Sequence, residues 1–225
     1  MVRLVLFDID GTLIHSGGAG EKAFREVART VFKFAEGTRD LRFAGRTDPS
    51  IVREMFSRQG IPDSAENFRK FFDAYVFWLD NFLGQIRGHV LPGVHAWIQH
   101  LRAMPQPPLL GLLTGNVRLG AQIKLRHYGL WDHFSTGGFG DDSEDRCRIA
   151  AIARDRGGQA LNRDLSGDEV LVIGDTPQDI QCGQAIGART LAVRTGTYSC
   201  EELEKHKARW CVTSLEAIDP AMACA

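Results

Sequence analysis

Three short segments of this chain carry the residues best suited to chemistry. Asp8-Ile9-Asp10-Gly11-Thr12 sets two carboxylates one residue apart, directly after the apolar run VRLVLF. Thr114-Gly115-Asn116 follows PLLGLL, and Gly174-Asp175-Thr176-Pro177-Gln178-Asp179 closes EVLVIG. If the ends of these runs meet, Asp8, Asp10, Asp175 and Asp179 face one small volume, and such acids repel one another unless a cation sits among them. Oxygen ligands without a nearby His or Cys favour Mg2+ over zinc or copper. Gly11, Gly115 and Gly174 let backbone N–H groups approach an anion closely. A place that holds both Mg2+ and an anion is a phosphate site.

The roles in such a site follow from position. Asp8, at the strand end, is placed to attack phosphorus as a carboxylate nucleophile and so form an aspartyl-phosphate. Asp10, across the turn, can protonate the leaving oxygen and later deprotonate the attacking water. Thr114 and the amides after it can hold the phosphoryl oxygens, with Gly11, Thr12, Gly115 and Asn116 as the expected substrate contacts. Mg2+ and a basic side chain would then neutralise charge in the transition state. An Asp after one strand usually reads as a turn or cap residue; the joint order of three such segments is what points to a site.

These segments need a sheet that brings strand ends to one edge. VRLVLF (2–7), the run around 109–113, EVLVIG (169–174) and TLAVRT (190–195) are nearly continuous in hydrophobicity, as expected for parallel strands covered on both faces. Helical patterns lie between them. VRLGAQIKLRHYGL stops at Gly129, and DRCRIAAIARDRGG reads as ending at Gly157 and Gly158. Strands alternating with helices predict an α/β doubly wound, mostly parallel, Rossmann-like sheet, with ligands at the carboxyl ends of the strands. Residues 17–88 break the alternation. EKAFREVARTVFKF, DPSIVREMFSRQ and SAENFRKFFDAYVFWLDNFL are amphipathic and rich in Phe, so they read as an inserted helical domain with its own small core. The predicted division is a core of residues 1–16 and 89–225 and a helical insert of 17–88.

Composition narrows the partners. With 27 Lys and Arg against 28 Asp and Glu, no overall field points to nucleic acid or to an anionic membrane. The five cysteines have no metal-ligand spacing, and the N-terminal apolar stretch is too short for a signal peptide or membrane span. A cytoplasmic protein acting on a small phosphorylated metabolite is the expectation.

Asp-x-Asp-Gly-Thr at 8–12, the strand-end Thr114 of LLTGN, Gly-Asp-x-x-x-Asp at 174–179 and the helical insert together resemble the haloacid dehalogenase-like hydrolases, in the phosphoglycolate phosphatase-like branch with a helical cap. The resemblance covers nearly the whole chain. It implies Asp8 as nucleophile, Asp10 as general acid and base, and Thr114 as phosphate ligand. It also implies Asp8, the Asp10 backbone and Asp175 as Mg2+ ligands, with Asp179 supporting or joining them. The cap is expected to close over the site, so Arg46 of FAGRTDPS could meet a distal anionic group of the substrate. One departure stands out. The family's expected lysine ahead of the last acidic motif is missing from GFGDDSEDRCRIAAI; Arg146 is the best positional substitute, with Arg148 and Lys124 next. An arginine keeps the charge but differs in reach and hydrogen-bond geometry. Asp10 argues against a dehalogenase or a phosphonatase. A phosphomutase of the β-phosphoglucomutase type uses the same aspartate pair and stays open as an alternative, whereas receiver domains are about half this length and lack the insert. Intact acids argue against a silent binding relative.

Overall fold

The computed structural model describes residues 1–34, 38 and 40–225. The central strand β1 (Leu4–Phe7) is buried at every position because it is covered on both sides. Its side chains alternate: Val5 and Phe7 enter one hydrophobic cluster, Leu4 and Leu6 the other. β4 (Leu109–Leu113) and β6 (Val170–Gly174) flank it in parallel register, with Phe7 level with both Leu112 and Ile173. β5 (Thr136–Gly138), β7 (Arg189–Val193) and β8 (Trp210–Val212) complete a six-stranded sheet of order β5-β4-β1-β6-β7-β8, every pairing parallel. Chain order runs outward from β1 to one side and then to the other, so the crevice at the carboxyl end of β1 is the switch point where ligands of such sheets bind.

Among its described residues the insert forms the α-helices α1 (Ala19–Thr30), α2 (Asp48–Arg58) and α3 (Ala65–Gln85). Phe24, Phe56, Phe71 and Tyr75 are all essentially inaccessible within one aromatic cluster. Burying each is worth on the order of 1.5–3 kcal/mol. Val117 and Ile123 of the sheet-bearing part pack against the same cluster, which seats the cap on the core. A two-stranded antiparallel ribbon, β2 (Ile14–His15) with β3 (His89–Val90), ties the two strands of chain that connect cap and core. The remaining helices, α4 (Val94–Ala103), α5 (Arg118–His127), α6 (Arg146–Ala160), α7 (Pro177–Ala185), α8 (Cys200–Glu204) and α9 (Pro220–Cys224), belong to the core. None of the described helices is long and apolar enough to cross a membrane.

The predicted elements are present, with differences at α6, α1 and β5, and the edge strand β8 and the β2–β3 ribbon lie outside the strands read from sequence. α6 runs through Gly157 and Gly158 to Ala160. Gly157 is there for close packing, since a Cβ would lie 2.5 Å from Leu4 Cδ2. α1 stops at Thr30, short of the predicted Phe34, and Lys33 takes a left-handed φ of 62°. β5 has no apolar run to announce it, being Thr-Gly-Gly; a Cβ on Gly138 would meet the Ile149 carbonyl oxygen at 2.6 Å. Gly129 does end α5, with φ 70°.

Candidate active site

Register alone brings the three segments together. With Phe7 opposite Leu112 and Ile173, Asp8 falls level with the ends of β4 and β6, and its N–H donates to the Ile173 carbonyl at 2.9 Å. The carboxylates of Asp8, Asp175 and Asp179 offer oxygens that all lie within 4.8 Å of one another, and all three side chains are buried. Burial, and then Asp179, push the Asp8 carboxyl up to about 7. Burial, with Asp8 and Asp179 beside it, raises Asp175 well above the ordinary carboxylate range. Three enclosed carboxylates whose oxygens come this close are a fit for a hard divalent cation.

Each acid is held from behind. Thr12, expected at the substrate, instead donates its hydroxyl to Asp175 Oδ1 at 3.1 Å, and it does not line the cavity. Gly11 and Gly196 close over Asp175; a Cβ on Gly196 would fall 1.7 Å from Asp175 Oδ2. Asp179 caps its own helix, with Oδ2 accepting from the Thr176 N–H at 3.0 Å and the Thr176 hydroxyl at 2.7 Å. Its Oδ1 accepts from Arg146 Nη2 at 2.5 Å.

Of the three basic candidates, Arg146 reaches the nucleophile. It sits at the start of α6, just after Asp145, whose side chain caps that helix. Its Nη2 lies 3.3 Å from Asp8 Oδ1, it is itself buried, and its Nε has no hydrogen-bond partner among the described residues. Burial alone would lower its pKa, but Asp179 and Asp8 raise it, so the guanidinium is a fixed positive charge. Arg148 points to solvent from the same helix.

Lys124 takes a different place. From α5 its buried Nζ donates to Asp10 Oδ2 at 2.5 Å and to Asn116 Oδ1 at 2.7 Å. Asn116 in turn donates to Asp10 Oδ2 and to Thr114 Oγ1, both at 2.9 Å. The Thr114 hydroxyl also accepts from the Asn116 N–H at 3.2 Å, which leaves its own proton free to donate. Asp10 therefore lies outside the acid cluster, and 39 % of its side chain opens to the cavity. Enclosure under the cap works against its charge, but Lys124, Asn116 and Ser16 outweigh that and hold its carboxyl below the usual range.

The cap docks directly on the Thr114–Asn116 loop. The Asp48 N–H donates to the Gly115 carbonyl at 2.8 Å, and Asp48 Oδ2 accepts from the Val117 N–H at 2.9 Å. Gly115 permits this approach: a Cβ there would stand 2.0 Å from the Arg46 carbonyl oxygen. Burial pushes the Asp48 carboxyl up to about 7, against the pull of Lys124 and the Val117 amide. Arg46 lines the enclosed space, yet its guanidinium is engaged with Glu54 and with the Ser50 carbonyl at 3.0 Å. His15 lies at the mouth, stacked on His89 with ring centroids 5.5 Å apart.

Between cap and core lies a cavity of about 370 Å³ lined by Asp8, Asp10, Thr114, Arg146 and Asp175. Asp48, Tyr75 and the Thr195-Gly196 turn also line it and were not singled out from sequence. The turn carried a signal, because small polar residues directly follow the TLAVRT run, as they do at the other strand ends. Asp48 and Tyr75 read only as helix residues until the cap is placed. Elsewhere, Cys200, Glu204 and Cys211 come together at the sheet edge, although their spacing shows no ligand pattern.

Residues 2–187 match the family model for haloacid dehalogenase-like hydrolases. The chain is 29% identical over 190 residues to a phosphoglycolate phosphatase of Rhodobacter capsulatus, covering 83% of this chain and 82% of the relative. It is 30% identical over 190 residues to a phosphoglycolate phosphatase of Cereibacter sphaeroides, with 82% of each covered. The fold superposes on that of CbbY from Rhodobacter sphaeroides, solved in complex with phosphate, with a TM-score of 0.73, 15% identity and coverage of 96% and 95%. A capped parallel sheet with acids and a threonine at its switch point defines an enzyme that works on phosphate esters. The chain belongs to the haloacid dehalogenase-like hydrolases, and within them it is a phosphoric monoester hydrolase.

Proposed function

We propose that the protein is a Mg2+-dependent phosphatase of a small phosphorylated metabolite, of the phosphoglycolate or sugar-phosphate kind, working through an aspartyl-phosphate on Asp8. The observation that carries this is the meeting of Asp8, Thr114, Asp175 and Arg146 at the ends of three adjacent parallel strands. Asp8 attacks phosphorus while the bond to the leaving oxygen breaks, and Asp10 delivers the proton that makes the leaving group an alcohol. Asp10 then takes a proton from water, whose oxygen attacks phosphorus as the bond to Asp8 breaks, releasing phosphate and restoring the carboxylate. The Thr114 hydroxyl, the amides of the following loop and Arg146 hold the phosphoryl oxygens. Asp8, Asp175 and the Asp10 carbonyl would hold Mg2+, with Asp179 orienting Arg146 beside them; the ion would neutralise phosphoryl charge and the mutual repulsion of the acids.

Residues 17–88 form the cap in this reading, with 1–16 and 89–225 as the core. A cytoplasmic setting goes with it, supported by five cysteines that are all free thiols. The test is phosphate release from small phosphomonoesters. Wild type turns over with Mg2+ and stops on chelation, and Asp8→Asn abolishes turnover; an Asn variant that still released phosphate would remove the nucleophile assignment.

A further inference from the structure

β8 is an edge strand, paired with β7, and α8 lies against it. Little apolar surface holds α8 in place. Of its residues only Leu203 is buried, in a small cluster with Ile180 and Ala192, and Cys211 of β8 packs against the same cluster. A helix this short does not hold itself together in water. Yet it lies in the segment that runs from the Thr195-Gly196 turn, which closes over Asp175, to the edge strand.

Three side chains of ligand type meet there. Cys200 and Glu204 stand one turn apart on α8 and so share a face, and Cys211 comes across from β8. Cys200 Sγ lies 3.7 Å from Cys211 Sγ and 3.0 Å from Glu204 Oε1, and one donor atom from each of the three lies within 4.8 Å of the others. Two thiolates bound to one tetrahedral Zn2+ at about 2.3 Å stand about 3.8 Å apart, so this separation is already that of a chelating pair. Among the described residues Glu204 forms no ion pair with lysine, arginine or histidine; its carboxylate accepts from the Cys200 thiol instead. The other close thiol pair, Cys147 and Cys182 at 3.5 Å, gathers no third His, Cys, Asp or Glu donor among the described residues.

We propose a second metal site, separate from the acid cluster: Cys200, Cys211 and Glu204 bind one Zn2+ ion and so clasp α8 to the edge of the sheet. Thiolate sulfur selects a borderline-soft cation of this kind over Mg2+. As the two S–Zn bonds form, the two thiol protons leave to water, and the Glu204 carboxylate supplies an oxygen ligand. Cys200 and Cys211 are half-buried and Glu204 is exposed, so the ion can enter from solvent and water can complete the tetrahedron. The role is structural, and it does not depend on the phosphatase chemistry.

The experiment uses the full chain, reduced with a phosphine and held in excess Mg2+ so that the acid cluster is occupied. Zn2+ is titrated in competition with a chromophoric chelator, Cd2+ reads thiolate-to-metal absorption, and Tm is measured with and without Zn2+. The expected result is a single tightly bound Zn2+ per chain, an absorption band with Cd2+, and a Tm raised by about 5 °C at roughly a hundredfold excess of free Zn2+ over Kd. Cys200→Ser and Cys211→Ser should each weaken Zn2+ binding by about tenfold or more and diminish both the band and the Tm shift, while Cys147→Ser behaves as wild type. Glu204→Gln should weaken binding but keep the band, because both thiolates remain. No stoichiometric Zn2+, or binding that both serine variants leave unchanged, overturns the site. Unchanged binding in Glu204→Gln overturns Glu204 as a ligand, and bound Zn2+ with no rise in Tm overturns the clasp.

Discussion

Arg146→Met offers a direct test of how this site is balanced. The substitution keeps an unbranched side chain of similar length and removes the charge that lies 3.3 Å from Asp8 and 2.5 Å from Asp179. At an effective dielectric of about 20 these contacts are worth roughly 5 and 7 kcal/mol in Coulomb attraction, but desolvation of the three ions cancels most of that. What remains after removing one partner of a buried pair is a loss of about 3–5 kcal/mol. The pH dependence has a definite sign. The Asp8 carboxyl is pushed up to about 7 from an ordinary 3.8, so its protonated form is favoured in the folded chain. Stability associated with it is complete below about 3.8 and is lost as the pH rises through about 7. The deficit of Arg146→Met in metal-free protein is therefore largest at pH 8 and shrinks toward pH 5. Saturating Mg2+ relieves the same repulsion and should recover part of it. Urea unfolding at both pH values, with chelator and with Mg2+, measures the effect, and phosphate release should fall by about 10²–10³-fold. A deficit under about 1 kcal/mol at pH 8 in chelator, or turnover close to wild type, would refute the placement of Arg146 as the buried counter-charge of Asp8 and Asp179.

Three other substitutions probe the rest of the site. Asp48→Asn keeps an acceptor for the Val117 N–H and removes a buried carboxyl pushed up to about 7, so it should stabilise the protein at pH 8 by up to roughly 4 kcal/mol. The gain should fade as the pH drops toward 4 in the same unfolding assay. Gly115→Ala drives a Cβ to 2.0 Å from the Arg46 carbonyl oxygen, a backbone atom that cannot step aside cheaply. Displacing the cap loop should lower kcat/KM by about 10²-fold, measured by phosphate release, with a stability loss of about 1–3 kcal/mol. Lys124→Met removes the cation that holds Asp10 below the usual carboxylate range, so the alkaline limb of the kcat/KM profile, set by Asp10 as the acid of the first step, should move to higher pH. A profile that does not move would separate Lys124 from Asp10 function.

Asp8, Thr114 and Asp175 were legible because they follow apolar runs, and each run was long enough to read as a strand. The same rule applied to TLAVRT would have found Thr195 and Gly196. β5 was not legible, because Thr136-Gly137-Gly138 has no side chains to pattern; its glycines are required by neighbours that only the fold supplies. The end of α6 was misread for a related reason. A glycine that stops a helix and one that admits Leu4 against it look alike in sequence.

What the amino-acid order determined by itself was the four central strands of the sheet, the helical insert and the acids at the strand ends, because burial period and the polar residues after each run are local properties of the chain. What only the tertiary structure decided was which cation serves which acid. Sequence position ranked Arg146 ahead of Arg148 and Lys124 but assigned none of them to a particular acid. Helix phase sends Arg146 inward to Asp8 and Asp179 and Arg148 outward to water, and the packing of α5 brings Lys124 to Asp10. Arg46, just before α2, ends beside Glu54 about two turns into that helix, so its charge is largely cancelled before any substrate arrives. Pairings of this kind depend on distances of a few ångströms between elements far apart in the chain, and those distances exist only once the sheet, the helices and the cap have packed.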